Sequence, residues 1–385
     1  MEIALSRCRM CPLVSKIIFR ASLEKTLGNP RTLVLANFSK LKNLQAPMFS
    51  DFRVFFRAKL EKLFLTPADT FDNVKGQFPI GFFIWNTDKK EIFEYIEADI
   101  YDKNQTFIGI KNIWAYDKLK FINDWVKTFR NTKSESIATI IGVGSDFQNQ
   151  RLVRFGEPFM KVPASNHNWQ TTKDNLIETS IYYTVRHIIE ATWLNDRDQF
   201  LFPNDNWKTD LEFQNDCLTH TLFSNNISRS FGINHWIPFT EAEVEAKERF
   251  ASHFMTDFIQ GKLSETGFSG LKDSQDLFTT FDHQKNQSTG NWLVFSAEAT
   301  AVFDAGRELW RYYHAQKFAW DGNYNANASL YDIREHFQGR NDKGRMNPKS
   351  SDEKYTELIG NLRDQLKILA EKIAPKVYEY GFLKE

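Results

Sequence analysis

The chain has 385 residues, of which 42% are hydrophobic and 15% aromatic, so the composition excludes a disordered chain and allows two or three compact units at roughly 100–200 residues per domain. Lys and Arg together number 49, as do Asp and Glu, which excludes a global attraction to nucleic acid or to anionic membranes and leaves only local contacts. No apolar run reaches the roughly 18–20 residues of a membrane span, and the charged residues near the start exclude a secretory signal. The 3 cysteines are too few for a disulfide framework and favour a reducing, cytoplasmic compartment.

The first predicted elements alternate between helix and strand. Residues 15–27 have the pattern of a short amphipathic helix that ends at a Gly-Asn-Pro sequence, and LVLANF (33–38) is typical of a strand buried on both faces of a parallel sheet. Phe and Leu recur at helical spacing through 49–64, which predicts the clearest helix of the first half. The stretch 65–88 then predicts a strand, a turn at Gly76 and a second strand, which together form a hairpin. This order is that of the second half of an α/β sheet domain whose opening strands are missing.

Short strands and polar loops are predicted from about 90 to 170, including 95–102 and 136–145. Three helices follow in the sequence pattern. The first covers 172–194, with Thr171 or Thr172 as its cap, and the second covers 241–260 behind a capping box of Thr240 and Glu243. The third covers 297–318 after Ser296.

Two polar stretches divide the second half. Residues 262–292 are rich in Ser, Gly, Asn and Gln and predict a flexible boundary, and 338–353 predicts a polar loop before a long final helix. The apolar residues of that helix recur at alternating spacings of four and three, which suits packing on the chain's own body or on a partner helix, the former being favoured. They are Tyr355, Ile359, Leu362, Leu366, Leu369 and Ile373.

No complete catalytic, metal or nucleotide motif is present in the sequence. Cys8 and Cys11 have half of a zinc-ribbon spacing, but no second pair follows. The Gly142-Val143-Gly144 sequence follows an apolar run but lacks a third glycine and a following helix pattern, so a simple turn is predicted. The eight histidines show no metal-ligand spacing, and no catalytic or metal-binding residue is assigned.

Three loops, 163–169, 203–208 and 224–236, combine amide, basic and aromatic side chains. Such combinations suit hydrogen bonding to base edges and stacking on bases, and recognition residues often lie on loops. An alternative is a polar loop anchored in the core by its aromatic residue. The candidate DNA contacts are Asn166, His167, Trp169, Asn206, Trp207 and Arg229.

Over residues 15–125, the stretches LVLANFSKLKNLQ, FSDFRVFFRAKLEKLF and TFDNVKGQFPIGFFIW resemble the region after the catalytic motif of DNA adenine methyltransferases from restriction-modification systems. LFSNN, GRELWRYYH, ASLYDIREHFQGR and PKVYEYGFL resemble distal parts of the same proteins. The resemblance implies an incomplete, Rossmann-type methyltransferase sheet domain at 1–130, an α+β recognition region at 131–290 and a helical part at 291–385. Six residues match a family stretch and are candidates for the wall of the base pocket: Phe71, Lys75, Gly76, Phe78, Pro79 and Gly81.

The family's two defining motifs are missing from this sequence. One is the glycine loop that binds S-adenosylmethionine, and the other is the Asn-Pro-Pro-Tyr type motif that holds the flipped base; Asn29-Pro30 begins like the second but lacks its remaining residues. Methyl transfer requires both the donor and the extruded base to be held in place, so we expect no transfer by this chain alone.

The sequence therefore predicts a remnant or subunit of a methyltransferase-like protein that binds target DNA, with a partner chain supplying the missing strands and the donor site. An exposed edge at strand 33–38 would favour such a partner. Two alternatives remain at this stage. One is a protein interaction module without DNA contact, and the other is an unrelated hydrolase whose site residues come together only in the fold.

Overall fold

The fold is mixed α/β, built from a five-stranded sheet, a three-stranded sheet and nine α-helices among the described residues. A computed structural model describes residues 34–74, 76–130, 133–161, 167–224, 236–263, 293–316 and 324–384. The predicted helix at 15–27 and most of the predicted boundary at 262–292 lie outside these ranges. Within them, no helix combines the length and apolarity needed to cross a bilayer.

The first sheet belongs to the sheet region, defined as residues 34–115. Its strands lie in the order β1-β3-β2-β4-β5. Two short helices, α1 and α2, connect β1 to β2. The bounds are β1 Val34–Lys40, α1 Lys42–Gln45, α2 Ser50–Phe55, β2 Lys59–Pro67, β3 Pro79–Asn86, β4 Tyr95–Tyr101 and β5 Phe107–Trp114.

Strand β3 is antiparallel to both of its neighbours, β1 and β2. Strands β1 and β2 therefore run in the same direction on either side of β3, joined by the helical connection. Strand β2 also pairs in parallel with β4, and β4 pairs antiparallel with β5. The predicted hairpin is confirmed as β2 and β3, with Gly76 in its connection at a φ of +126° that favours glycine.

The prediction that 33–38 is a parallel strand buried on both faces is wrong in its pairing. The strand exists as β1, but its one neighbour among the described strands is antiparallel, and its residues alternate between exposed and half-buried. Val34 and Phe38 are 57% and 48% exposed. Pairing direction and edge position depend on distant strands, so a local apolar run does not determine them.

The single helix predicted over 49–64 is wrong in its second half. Helix α2 ends at Phe55, and β2 begins at Lys59. Leu60 and Leu63, three residues apart, both contribute to one buried core because the register of β2 against β3 shifts between Leu60 and Lys62. A β-bulge inserts one residue and so reproduces a helix-like spacing within a strand.

The described residues of the second region, 122–384, form an antiparallel sheet with the order β7-β6-β8 and seven helices. The strands are β6 Ser136–Gly142, β7 Arg154–Gly156 and β8 His167–Thr172. The helices are α3 Ile122–Lys127, α4 Leu176–Val185, α5 Leu211–Phe223, α6 Phe254–Ile259, α7 Ala297–Ala315, α8 Leu330–Gln338 and α9 Glu353–Glu379.

The buried residues form two cores. One lies within the sheet region, between one face of the five-stranded sheet and α1, with Trp193 and Leu194 packed against it. The other extends from Ile122 to Leu383 and includes residues of both sequence segments 131–290 and 291–385. These two segments thus share one core.

Two predicted helices of the second region are confirmed. Ser296 accepts a hydrogen bond from the amide of Ala299 at the start of α7, and Asp352 caps α9. The apolar face of α9 packs on α5 and α7, so this helix packs on its own chain. The predicted helix at 172–194 is shorter, because α4 ends at Val185.

The predicted helix at 241–260 is wrong in its first part, because only α6, Phe254–Ile259, is helical within it. Thr240 and Glu243 make the expected reciprocal hydrogen bonds, yet the residues directly after them form turns and loops. The Glu241 carboxylate instead accepts hydrogen bonds from the amide of Phe250 and from Nε2 of His253. A single helix would separate such residues by about 1.5 Å per residue along its axis, so these bonds require a folded-back loop.

Two helical glycines provide a matched test of the packing of the second core. A Cβ at Gly306 of α7 would lie 2.3 Å from the ring of Phe223, whereas one at Gly360 of α9 would meet nothing within 4 Å. We expect Gly306→Ala to destabilise the protein by about 1–3 kcal/mol through overpacking and Gly360→Ala to stabilise it by about 0.5–1 kcal/mol through helix propensity. Urea unfolding measures both, and equal effects would contradict the packing described.

Candidate functional site

The described hairpin residues of the predicted base-pocket wall divide between the two faces of the five-stranded sheet. Gly81 and Pro79 are buried, and a Cβ at Gly81 would lie 2.9 Å from Leu63 Cδ1 on the covered face. Phe71 packs on the ring of Phe38, and Lys40 Nζ lies 4.1 Å from the centre of the Phe78 ring. Lys75 lies outside the described residues. The pocket-wall role stays a prediction.

The opposite, open face carries a row of aromatic side chains across all five strands. The ring centroids are 4.7 Å apart for Phe38 and Phe82, 5.2 Å for Phe82 and Phe64, and 5.9 Å for Phe64 and Tyr101. Phe107 continues the row at 5.8 Å from Tyr101. These five residues are called the aromatic row.

The aromatic row is only partly buried. Phe38 and Phe107 at its two ends are 48% and 52% exposed, whereas Phe83, which neighbours Phe82 in β3 and faces the other way, is fully buried. Single exposed apolar residues are common, but a contiguous row of large rings marks an interaction surface. The row was not among the sequence-predicted sites, although its signal is visible in the uninterrupted apolar run of β3.

The described residues of two predicted DNA-contact loops, 167–169 and 203–208, lie around α3 and the turn that follows it. His167 at the start of β8 is exposed; partial burial of its ring, with the positive charges on Lys127 and Arg130, lowers its pKa. From the other loop, Trp207 packs edge-on against Trp125 of α3 at 5.4 Å. Four basic, imidazole or amide side chains on α3, its following turn and these two loops are exposed or half-buried, and we call them the α3 patch: Lys127, Arg130, His167 and Asn206. The Asp124 carboxylate of α3 is exposed beside them.

The two tryptophans of these loops are anchors rather than exposed rings. Trp169 and Trp207 are each 3% exposed and belong to the second core. A base has no access to a ring buried in this way, so stacking on either residue has no geometric support. Asn206 remains exposed beside Trp207. Asn166 and Arg229 lie outside the described residues.

The Gly142-Val143-Gly144 turn offers no cradle for a nucleotide or for S-adenosylmethionine. A Cβ at Gly142 would lie 2.4 Å from the Tyr182 hydroxyl and 2.9 Å from Trp169, so this glycine faces packed side chains. The carbonyl of Gly144 accepts a hydrogen bond from buried Arg186 at 2.8 Å. The turn leads into a short 3-10 helix, not an α-helix whose N-terminus could bind phosphate.

A cluster of titratable side chains lies between α4 and α5. Tyr183 stacks on His187 at 4.1 Å and accepts a hydrogen bond from the Ser224 hydroxyl. His187 Nδ1 lies 2.7 Å from the Tyr183 carbonyl, and His220 Nδ1 lies 3.3 Å from the Thr184 hydroxyl. Burial lowers the pKa of His187 to about 3 and of His220 to about 4, and raises the pKa of Tyr183 to about 12.

These groups are neutral at physiological pH, and the hydrogen bonds described for them involve hydroxyl groups and backbone carbonyls, not carboxylates. The arrangement lacks the nucleophile, base and orienting acid that a hydrolase triad would require. In the described part of the chain, no group of three or more His, Cys, Asp or Glu side chains could hold a metal ion. The cluster therefore serves the packing of α4 on α5.

Comparison with known proteins gives no relative. No family model matches the chain, and neither a curated protein nor a solved structure is significantly similar to it.

Buried His220 provides a test of the core by pH. Its pKa of about 4 lies below the ordinary value of 6.5, so the unfolded state binds the extra proton between these values. Stability is therefore fully present above about pH 6.5 and is lost as the pH falls toward 4. We expect the His220 side chain to contribute a loss of about 2 kcal/mol between pH 7 and pH 5.

Urea unfolding of the wild-type chain and of His220→Gln at both pH values measures this contribution. The variant should lose less stability on acidification than the wild-type chain. The exposed His167→Gln serves as the comparison: because the pKa of His167 is also lowered, this variant should also lose less stability than the wild-type chain, but by a smaller amount than His220→Gln. Identical pH dependence in His220→Gln and wild type would show that His220 is not buried as described.

Proposed function

We propose that this chain is a remnant or subunit of a DNA adenine methyltransferase-like protein of a restriction-modification system, corresponding to the part after the catalytic strand. It binds target DNA and transfers no methyl group on its own. The observation that carries this proposal is the five-stranded sheet, which buries one face in a core and presents the partly exposed aromatic row on the other.

The outer edge of β1 is a second observation in favour of a partner chain. No described strand pairs with the outer side of β1, and β1 and β2 run in the same direction with a helical connection between them. The resemblance expects the catalytic strand immediately before β1. Parallel strands joined through a helix usually lie close together in the sheet, so strands from a partner chain would pair at this edge.

The turn that follows β6 resembles a nucleotide loop in sequence only. The one glycine-rich turn that follows a strand in the described second region is filled by Tyr182, Trp169 and Asn149 side chains. This turn therefore does not hold S-adenosylmethionine, and we assign the donor site to the partner. The contribution of this chain is the recognition of DNA.

The α3 patch is the surface we assign to DNA. Lys127 is held by Asp124 at 2.9 Å on the same helix, and Arg130 is exposed at the end of the following turn. Contacts from Lys and Arg to phosphates position a protein on DNA, and exposed amide or imidazole groups such as those of Asn206 and His167 can reach base edges. The neutral overall composition agrees with a patch of limited size.

The proposal predicts duplex binding that weakens steeply with salt, because each phosphate contact releases a counterion. Lys127→Ala and Arg130→Ala should each weaken binding and lower the slope of log affinity against log salt by about one. Fluorescence anisotropy with a labelled duplex measures these slopes. Lys367→Ala, which removes an exposed cation from α9, is the matched control and should leave the slope unchanged.

Calorimetric titration of the isolated chain with S-adenosylmethionine completes the test. We expect no binding, because the donor pocket is assigned to the partner. Donor binding at micromolar affinity would contradict the assignment, and the absence of salt-dependent duplex binding would contradict the DNA role.

The aromatic row also supports a second candidate, a protein interaction module without DNA contact. Contiguous exposed apolar side chains are typical of protein interfaces. The two candidates differ in the α3 patch. If the chain is a protein interaction module, Lys127→Ala and Arg130→Ala should leave its binding to partners unchanged. If it is a methyltransferase-like subunit, both variants should bind a DNA duplex more weakly.

A further inference from the structure

A small cavity lies at the junction between the sheet region and the second region. Its volume is about 30 Å³. Gln45 of α1 and Trp114 of β5 line it from the sheet region, and Asp198 and Leu383 line it from the second region. A cavity of this size has room for a water molecule.

Two buried polar atoms among the lining residues have no hydrogen-bond partner in the described part of the chain. They are Gln45 Oε1, which can only accept, and Trp114 Nε1, which can only donate. Gln45 is 7% exposed. A buried group without a partner is destabilising, and most such groups in proteins are satisfied by protein or by ordered water.

The lining of the cavity combines apolar side chains with charged and hydrogen-bonding ones. Lys111 of β5 forms an ion pair with Asp198 at 2.5 Å, and both residues line the cavity. Their side chains are only 16% and 20% exposed. A polar cavity with several hydrogen-bonding groups retains water, whereas an apolar cavity of similar size stays dry.

We infer that the cavity binds a single O–H group, which accepts a hydrogen bond from Trp114 Nε1 and donates one to Gln45 Oε1. An ammonium ion cannot accept from the indole, and a halide cannot donate to the amide oxygen. A water molecule satisfies both atoms and links the two regions next to the Lys111–Asp198 ion pair.

The same O–H chemistry could also come from an alcohol group. An open groove of about 570 Å³ adjoins the cavity and shares Trp114, Leu383 and Lys384 with it. Lys384 Nζ lies 3.8 Å from the centre of the Trp114 ring, at the place where the two spaces meet. A hydroxyl-bearing molecule in the groove could therefore present its oxygen to the cavity.

A crystal structure at a resolution that shows ordered water tests the site directly. We expect one density peak within about 2.7–3.2 Å of both atoms. An isolated peak identifies water, and density that continues into the groove identifies the hydroxyl of a bound molecule; both support the site. An empty cavity, or Gln45 and Trp114 each paired with another protein group, would overturn it.

A double-mutant cycle tests the same site in solution. Gln45→Met and Trp114→Phe should be coupled, because both side chains hold the same O–H group. Each variant changes the equilibrium constant of unfolding by some factor. We expect the factor for the double variant to differ by about threefold or more from the product of the two single-variant factors. Trp193→Phe, in the same core but outside the cavity, is the control and should combine multiplicatively with Gln45→Met. Multiplicative effects for Gln45 and Trp114 would overturn the bridge.

Discussion

The five-stranded sheet has large apolar side chains on both faces, a core on one and the aromatic row on the other, and the described chain deeply buries only the core. Along β3, Phe83 and Trp85 enter the core beneath α1, while Phe82 and Ile84 lie on the other face. Removal of apolar surface from water is the main favourable term in folding, so a sheet of this composition is most stable when both faces are covered. This constraint, together with the edge position of β1, leads to the proposal of a partner.

The local parts of the fold were predictable from the sequence. Helices α7 and α9 combine long apolar periodicity with the caps Ser296 and Asp352, so local signals and packing agree. The hairpin of β2 and β3 was predictable because turn residues separate two apolar runs. Errors arose where distant contacts decided the structure. The bulge near Glu61 imitated helical spacing, and the Glu241 carboxylate folded a well-capped segment into a loop.

The candidate site was less predictable than the fold, because function depends on which side chains remain exposed. Sequence alone could not separate Trp169 and Trp207, which are core anchors, from exposed His167 and Asn206 in the same loops. The proximity of these loops to α3 depends on the second core, which joins elements far apart in the chain. The sequence did not predict the aromatic row as one surface, because its five members come from five different strands.

Amide hydrogen exchange along β1 in the isolated chain tests the incomplete sheet most directly. In an edge strand, alternate amides pair with the neighbouring strand and the rest face outward without a partner, so they exchange at different rates. Our account predicts alternating slow and fast exchange from Val34 to Lys40, with the outward amides close to the rate of an unprotected peptide. Uniform protection of both sets would mean that the isolated chain already covers this edge, and it would contradict the proposal that a partner completes the sheet.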